Sequence, residues 1–305
     1  MNRETVRALC QLNTEFYERN AASFSQTRTA PWEGWRRCMA ACGFDDSDGA
    51  ALGQSMDTQI ADSVLDIACG NLRFEMFLAN AYPHIDWSFF AVDNGEPLVA
   101  SGQEDIAKKV HFTCEDIVSN LLEGLPAAEP ANIPALAATT PFDLVVSFGF
   151  LHHIPSFDLR RQFLLEALSQ VKPGGYLVVS FWQFLNDPAK RAKIEQTHVE
   201  ALAFFAGSLE PNDYFLGWKN EPGNYRYCHH FSNEEIDRII AALAPHATVV
   251  ESFSADGKPG NLNRYVVFKR KELPIDSIPV TNALSSMTDE EIKQLKVKTL
   301  VLGVG

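Results

Sequence analysis

Apolar positions between residues 64 and 182 form short continuous runs separated by stretches with helical spacing. The continuous, mainly apolar runs are residues 64–67, 89–92, 110–112, 142–148 and 176–180. Such runs are typical of strands that are buried on both faces of a sheet. Apolar residues recur at helical intervals within residues 72–81 and 159–171. This alternation predicts an α/β fold with a doubly wound, mostly parallel sheet and right-handed crossovers.

The last two apolar runs are joined differently, because a short turn-rich link connects them. They cover residues 248–253 and 264–270, and the link contains Asp-Gly-Lys-Pro-Gly at residues 256–260. Glycine and proline in so short a link favour a tight reversal of the chain. The sequence therefore predicts a hairpin at the end of the sheet.

Additional segments set the predicted domain limits. Residues 1–45 are predicted to form an N-terminal helical lid segment, and residues 46–272 the main domain. An insertion on the substrate side is expected near residues 183–231. Residues 123–141 form an Ala/Pro-rich loop that offers a partner surface, and residues 273–305 form a C-terminal extension.

The net charge, the hydropathy and the cysteine content limit which binding partners the sequence predicts. The formal net charge of −13 argues against a broad polyanion-binding face, although basic residues gather at 190–193 and 258–271. No run of eighteen apolar residues and no signal pattern occurs, so we predict a cytoplasmic protein with no membrane partner. Cys38 and Cys42 have helical spacing and could share a metal ion. Without a CxxC pair we instead predict reduced thiols and no metal site.

Candidate chemistry lies where the strands end. Residues 64–71 run from a strand through a small-residue turn toward a helix, which is where nucleotide-like ligands bind. Asp66 closes this first strand. Asp93 closes the second, a little over twenty residues on, where a ribose diol needs an acceptor. Asp116 follows the third strand.

This ordered set resembles the class I S-adenosylmethionine-dependent methyltransferases over roughly residues 60–270. The resemblance implies a seven-stranded, Rossmann-like sheet with an antiparallel last strand and S-adenosyl-L-methionine as cofactor. It implies that Asp93 binds the ribose hydroxyls and that Asp116 binds the adenine amino group, with Ile117 beside the ring. The implied cofactor-binding set is Tyr17, Asp66, Ala68, Gly70, Asp93, Asn94, Asp116, Ile117, Ser147 and Phe148.

The turn after the first strand departs from the family pattern of three alternate glycines. The chain has Ala68, Gly70 and Leu72 at these positions. Glycine is required where φ is positive or where a side chain would strike the ligand. We expect Leu72 to be tolerated because it has already entered the following helix. The departure keeps open a different class of function, a non-catalytic methyltransferase-like scaffold or regulatory subunit.

Two flanking segments, residues 24–32 and 225–231, narrow the resemblance. They look like those of the eukaryotic tRNA wobble-uridine carboxymethyl methyltransferases and their AlkB-fused relatives, which make the methyl ester of 5-carboxymethyluridine. The resemblance implies tRNA as the acceptor. The relatives also use a small zinc-binding activator protein, which this sequence does not reveal. After the second segment, Ser232 is expected to cap a helix, with Glu235 completing a capping box.

The resemblance also implies the acceptor site. Arg28 and His152 are the implied catalytic residues. Arg28 would sit over the cofactor or over the acceptor carboxylate, which its planar fork can hold, and His152 would position the acceptor. His153 is assigned a packing role, and Tyr225 and Tyr227 would offer stacking faces. The implied substrate contacts are Arg28, Trp32, Trp182, Trp218, Tyr225, Arg226, Tyr227 and His229. The main alternative is a small-molecule O-methyltransferase that acts on a carboxylic acid or a hydroxyl group.

Overall fold

The computed structural model describes residues 1–44, 63–95, 104–123 and 141–273. Its strands are β1 Ser63–Ile67, β2 Ser88–Asp93, β3 Val110–Cys114, β4 Phe142–Ser147, β5 Val171–Trp182, β6 Asp213–Gly217, β7 Tyr225–His229, β8 Ala247–Ala255 and β9 Asn263–Arg270. Seven strands form the main sheet in the order β3-β2-β1-β4-β5-β9-β8. The first five strands in this order are parallel to one another, whereas β9 runs antiparallel to both β5 and β8. The predicted doubly wound sheet with an antiparallel last strand is therefore confirmed.

The helices are α1 Arg3–Ser25, α2 Glu33–Ala41, α3 Arg73–Ala81, α4 Glu104–Ala107, α5 Ile117–Glu123, α6 Phe157–Ser169, α7 Pro188–Leu202 and α8 Asn233–Leu243. Helical spacing predicted α3 and α6 to within two residues. Helix α6 begins earlier than its apolar pattern because Ser156 caps it, with Oγ accepting from the N–H of Leu159 at 3.4 Å. None of the described helices is both long and apolar enough to cross a membrane.

Apolar side chains cover both faces of the main sheet. On one face, Leu65 and Val145 pack with residues of α5, α6 and α8. On the other face, Val64 and Leu144 pack with residues of α2 and α3, among them Trp35. Because successive residues of a strand point to opposite faces, each position of these central strands is buried. This explains the continuous apolar runs in the sequence.

A second, two-stranded sheet lies beside the main one and was not predicted. Strands β6 and β7 pair antiparallel, with Tyr214 opposite Cys228 and Phe215 opposite Tyr227. Leu9 of α1 packs against Phe215 and Tyr227 in a buried cluster. Helix α1 is therefore held against this hairpin by apolar contacts.

Some predictions fall partly outside the described residues. The Ala/Pro-rich loop corresponds mainly to residues 124–140 and the C-terminal extension to residues 274–305, neither of which is described. The domain limits stay predictions. Part of the predicted basic cluster has structural partners, since Arg264 pairs with Asp237 at 3.0 Å and buried Arg270 donates to the carbonyl of Ser169 at 3.1 Å.

Candidate active site

A cavity of about 550 Å³ lies at the carboxyl ends of the parallel strands, with residues of α1 along one side. Ligands of open α/β sheets bind at this edge. The cavity brings together most of the predicted site residues, namely Tyr17, Arg28, Trp32, Asp66, Ala68, Gly70, Asp93, Asn94, Asp116, Ile117, Phe148, His152, Trp182 and Arg226. Their individual roles stay predictions.

The loop between β1 and α3 has left-handed backbone at all three motif positions. Ala68 has φ +68°, Gly70 +60° and Leu72 +57°. Leu72 is the residue before α3, so the expectation that it had entered the helix is wrong. Its side chain is buried beside Cys69 and Ala91, which holds it in place. A non-glycine residue in this region costs about 1–3 kcal/mol and is typical of functional sites.

Asp93 joins the end of β2 to this loop. Its Oδ2 accepts the N–H of Gly70 at 2.9 Å, and its Oδ1 accepts that of Gly95 at 3.4 Å. Burial raises the pKa of Asp93, while these backbone donors lower it. Asp116 also lines the cavity and caps α5, accepting from the N–H and hydroxyl of Ser119 at 3.0 and 2.8 Å.

Arg226 places a buried positive charge in the wall of the cavity. The residue is 6% exposed, and its guanidinium carbon lies 5.1 Å from the ring centroid of Phe16 and 5.0 Å from that of Phe24. The rings of Trp182 and Trp218 lie at 5.8 and 5.9 Å. Nε and Nη1 have no hydrogen-bond partner among the described residues. The aromatic faces stabilise the cation, but no described anion neutralises it.

Arg28 and Arg73 add two more guanidinium groups to the same cavity. The guanidinium carbon of Arg28 lies 3.4 Å from the ring centroid of Phe24, and burial lowers the pKa of Arg28 to about 10. Asn71 donates to the carbonyl of Arg28 at 3.0 Å, which fixes the turn carrying this arginine against the β1–α3 loop. Within the described ranges, neither Arg28 nor Arg73 forms an ion pair.

His152 and His153 are both neutral. Burial and Arg226 lower the pKa of His153 to about 3, and its Nε2 lies 2.8 Å from the hydroxyl of Tyr17. The Nδ1 of His153 lies 3.2 Å from the carbonyl of Tyr227, so this side chain is a hydrogen-bonding centre rather than only packing. Burial holds the pKa of His152 well below its usual range, and its Nδ1 has no described partner.

These histidines and Cys228 have metal-like spacing in the described part of the chain, with ligand atoms within 4.8 Å of one another. Burial raises the pKa of the Cys228 thiol to about 11, so the group is a thiol at neutral pH. Arg226 and Arg28 lower the pKa of His152, because their positive charges disfavour a further positive charge at this place. The same charges oppose the binding of a metal cation. The donor set therefore fits a metal ion poorly.

Two predicted substrate contacts of β7 are wrong. Tyr227 is fully buried and donates its hydroxyl to Asp213 at 2.7 Å, so it offers no stacking face. His229 is buried, with its Nδ1 2.8 Å from Oδ1 of Asp213 and its Nε2 2.6 Å from Oε2 of Glu235. The predicted helix cap is confirmed, because Oγ of Ser232 accepts the N–H of Glu235 at 3.2 Å. The Glu235 carboxylate, however, contacts His229 instead of completing a capping box.

Three other predicted residues lie outside the cavity lining. The buried hydroxyl of Ser147 donates to the carbonyl of Ile67 at 3.0 Å, which binds β4 to β1. Trp218 donates its indole N–H to Ser23 at 3.1 Å, and its ring centroid lies 5.9 Å from the guanidinium carbon of Arg226. Tyr225 is half-buried and packs against the apolar cluster that contains Leu9 of α1. The Ser147 side chain is therefore corrected to a structural contact, whereas Trp218 and Tyr225 as acceptor contacts stay predictions.

Asn13 and Arg73 are among the lining residues that sequence reasoning missed. Asn13 accepts the backbone N–H of Tyr227 at 2.8 Å, and its position four residues before Tyr17 on α1 was the available signal. Arg73 is the first residue of α3, and its position directly after the loop was the signal there. Its Nε is buried without a described partner.

Comparisons with known proteins agree with this fold and site. A family model described as a methyltransferase domain matches residues 65–177. The Encephalitozoon cuniculi protein ECU09_1500, a methyltransferase by name, is 24% identical over 244 residues, covering 79% of this chain and 91% of its own length. The structure of DhpI in complex with SAM and HEP has a TM-score of 0.50 and 15% identity, covering 86% of this chain and 97% of DhpI.

A further solved structure is the N-methyltransferase NodS from Bradyrhizobium japonicum in complex with S-adenosylhomocysteine. It has a TM-score of 0.46 and 14% identity, covering 88% of this chain and 99% of NodS. The matched methyltransferase domain contains the β1–α3 loop, Asp93 and the histidine pair. Residues 65–177 therefore match a methyltransferase domain, and this likeness supports a methyltransferase that uses S-adenosylmethionine as its cofactor.

Proposed function

We propose that the chain transfers a methyl group to a carboxylate, that of a carboxymethyl group on a modified wobble uridine in tRNA. The observation that carries this proposal is the buried guanidinium of Arg226, which has no anionic partner among the described residues. A buried charge is costly unless it is paired, so the site needs an anion from outside the chain.

The other end of the cavity fits S-adenosylmethionine. Asp93 stands where ribose hydroxyls need an acceptor, and the buried Oδ1 of Asp66 has no described partner. A Cβ built on Gly70 would meet no atom within 4 Å, so the loop leaves open space above it. When bound, the cofactor supplies an electrophilic methyl group on a sulfonium ion.

Charge favours an anionic acceptor over a neutral one. Arg28, Arg73 and Arg226 all line the cavity and form no ion pair within its described surroundings. The cofactor carries only one carboxylate, so at least one guanidinium is left for the acceptor. A carboxylate matches the planar guanidinium fork and is already anionic at neutral pH, so it needs no general base. The low pKa of both histidines agrees with this, since a weakly basic imidazole removes protons poorly.

The arginines would act by binding and orientation. A guanidinium interacts most strongly with the charged acceptor and less as the negative charge disappears during transfer. Arg226 therefore lowers the acceptor concentration needed for turnover and releases the neutral ester. Arg28, which is partly buried beside the β1–α3 loop, is placed to orient one carboxylate oxygen toward the cofactor.

The acceptor's identity rests on the two flanking segments. Residues 24–32 supply Arg28, and residues 225–231 supply Arg226, so both tRNA-type segments contribute a cation to one cavity. This supports tRNA. A second candidate is a free small carboxylic acid, which the net charge of −13 favours because it disfavours a polyanion. Arg226 is buried, so either acceptor must insert its carboxylate into the cavity.

The test is incubation with isotopically labelled cofactor and either bulk tRNA lacking the ester or a panel of small carboxylic acids. Nucleoside and small-molecule mass spectrometry then identify the product. We expect the methyl ester of 5-carboxymethyluridine, and its loss in Arg226→Met with S-adenosylhomocysteine binding retained. Label only in a small acid would establish the second candidate, and no label in either would contradict the proposal.

A further inference from the structure

Four ionisable side chains are buried together around β7, and we call them the charged network. They are Arg160 on α6, Asp213 on β6, His229 on β7 and Glu235 on α8, each at most 8% exposed. None of the four belongs to the described lining of the cavity. Buried charges are costly unless they are paired, so each member of the network needs its neighbour.

Hydrogen bonds connect the members of the charged network in one row. Nδ1 of His229 lies 2.8 Å from Oδ1 of Asp213, and its Nε2 lies 2.6 Å from Oε2 of Glu235. The other carboxyl oxygen of Glu235 accepts from Nε of Arg160 at 3.1 Å and pairs with its Nη2 at 3.0 Å. Oδ1 of Asp213 also accepts from the hydroxyl of Tyr227 at 2.7 Å.

Both ring nitrogens of His229 are placed to donate. Each faces a carboxylate oxygen, and an ionised carboxylate only accepts hydrogen bonds. Other donors hold both carboxyl groups in this role, since Asp213 accepts the N–H of Glu210 at 2.9 Å. Burial raises the pKa of Glu235, but its hydrogen bond with His229 and the charge of Arg160 bring it below its usual value. The charges then alternate along the network, with an imidazolium at His229.

The charged network joins two elements of the cavity wall. His229 lies on β7 three residues after Arg226, so it is on the opposite face of the strand from this lining residue. At the other end of the network, Nη1 of Arg160 donates to the carbonyl of Ile154 at 3.0 Å. Ile154 directly follows the 3₁₀ turn Leu151–His153, whose two histidines line the cavity.

We propose that the charged network, with His229 as an imidazolium, holds Arg226 and the 3₁₀ turn Leu151–His153 at a fixed spacing for the acceptor. Its members are positioning residues, because they act through groups that line the cavity. A shift of β7 against α8 or α6 leaves a buried charge unpaired, so the network favours one arrangement of these elements. The proposal rests on the proposed function in that Arg226 meets the acceptor.

The first measurement needs no acceptor, and it is NMR spectroscopy of protein labelled with ¹⁵N in its histidine rings. In the wild type at neutral pH we expect two protonated ring nitrogens in His229. Glu235→Gln keeps a hydrogen bond but removes the charge, because the amide N–H can donate to Nε2 of His229. We expect His229 to lose one ring proton in this variant and the ring signals of His152 and His153 to shift.

The second measurement is steady-state kinetics with the acceptor at saturating cofactor. For Glu235→Gln we expect kcat/KM for the acceptor to fall by up to about 10²-fold, because a small misplacement of the groups that hold it is costly. S-adenosylhomocysteine affinity should stay unchanged, since the network does not reach the Asp93 end of the cavity. Glu234→Gln, at the exposed neighbouring position of α8, is the matched control and should behave like the wild type in both measurements.

A network that only stabilises the fold would lower the midpoint of denaturation and leave kcat/KM of the folded variant unchanged. That result, a neutral His229 in the wild type, or unshifted His152 and His153 signals in Glu235→Gln would each overturn the proposal. If Glu235→Gln does not fold, His229→Gln takes its place and should shift the same signals and lower kcat/KM. If the wild type methylates no carboxylate, the proposed function fails and the NMR measurement alone decides on the network.

Discussion

The hydroxyl of Tyr17 lies 2.8 Å from Nε2 of His153. This contact connects α1 to the 3₁₀ turn that follows β4, and both residues line the cavity. The other ring nitrogen of His153 reaches the carbonyl of Tyr227 at 3.2 Å. The imidazole of His153 thus connects three elements: α1, the 3₁₀ turn after β4, and the β6–β7 hairpin that carries Arg226.

Removing the Tyr17 hydroxyl tests this connection. Tyr17→Phe keeps the ring, which packs edge-on against Phe24 at 5.1 Å, but leaves the buried His153 nitrogen unpaired. We expect a loss of about 1–3 kcal/mol in the free energy of unfolding, measured by urea denaturation, because a buried polar group loses its partner. Tyr225→Phe, in a half-buried position, is the control and should be near neutral. Equal stability of Tyr17→Phe and the wild type would argue against the bond.

Asp93→Ala tests the cofactor end of the cavity. The change removes the carboxylate that accepts from Gly70 and that is placed to accept from ribose hydroxyls. We expect S-adenosylhomocysteine affinity to fall by roughly 1.5–3 kcal/mol per charge-assisted hydrogen bond lost, with circular dichroism unchanged. Unchanged affinity in a folded variant would remove Asp93 from the site.

Arg28→Lys keeps the positive charge but loses the planar fork. We expect kcat to fall more than S-adenosylhomocysteine affinity, because the fork orients the acceptor. Steady-state kinetics and calorimetry on the same preparation separate the two effects. Arg19→Lys, at an exposed position of α1, is the matched control. Wild-type kinetics in Arg28→Lys would assign Arg28 a structural role.

The pH–rate profile tests whether a base is needed. His152 is neutral at physiological pH, since burial keeps its pKa well below the usual range. For a carboxylate acceptor, with cofactor saturating, we expect no rate-controlling ionisation of His152 near neutrality. His152→Asn should then retain appreciable activity. A loss of about 10²–10⁴-fold, together with the disappearance of an ionisation near neutrality, would instead indicate a hydroxyl acceptor.

The sheet, and the edge of the sheet where the cofactor is expected to bind, could be predicted from the sequence. Strands that are buried on both faces appear in it as runs of consecutive apolar residues. Asp66, Asp93 and Asp116 follow strand ends, and parallel strands bring these ends to one edge. Leu72 was misplaced because its left-handed conformation depends on burial beside Cys69 and Ala91, which no local pattern reveals.

The acceptor side was harder to predict because it depends on contacts distant in sequence. Aromatic and polar residues in 225–231 fit an exposed recognition segment and a buried strand equally well. Packing of α1 against the β6–β7 hairpin decides between them by burying Tyr227 and His229. The same packing buries Arg226, which the sequence alone did not reveal.

Carboxylate methylation is tested most directly by the chemical stability of the product. After transfer from methyl-labelled cofactor, the purified acceptor is treated with mild alkali, and released label is collected as volatile methanol. An ester loses its methyl group under these conditions, whereas methyl ethers and methylamines keep theirs. We expect wild-type product to release its label as methanol and Arg226→Met to form little product. Label that stays on the acceptor after alkali would contradict carboxylate methylation.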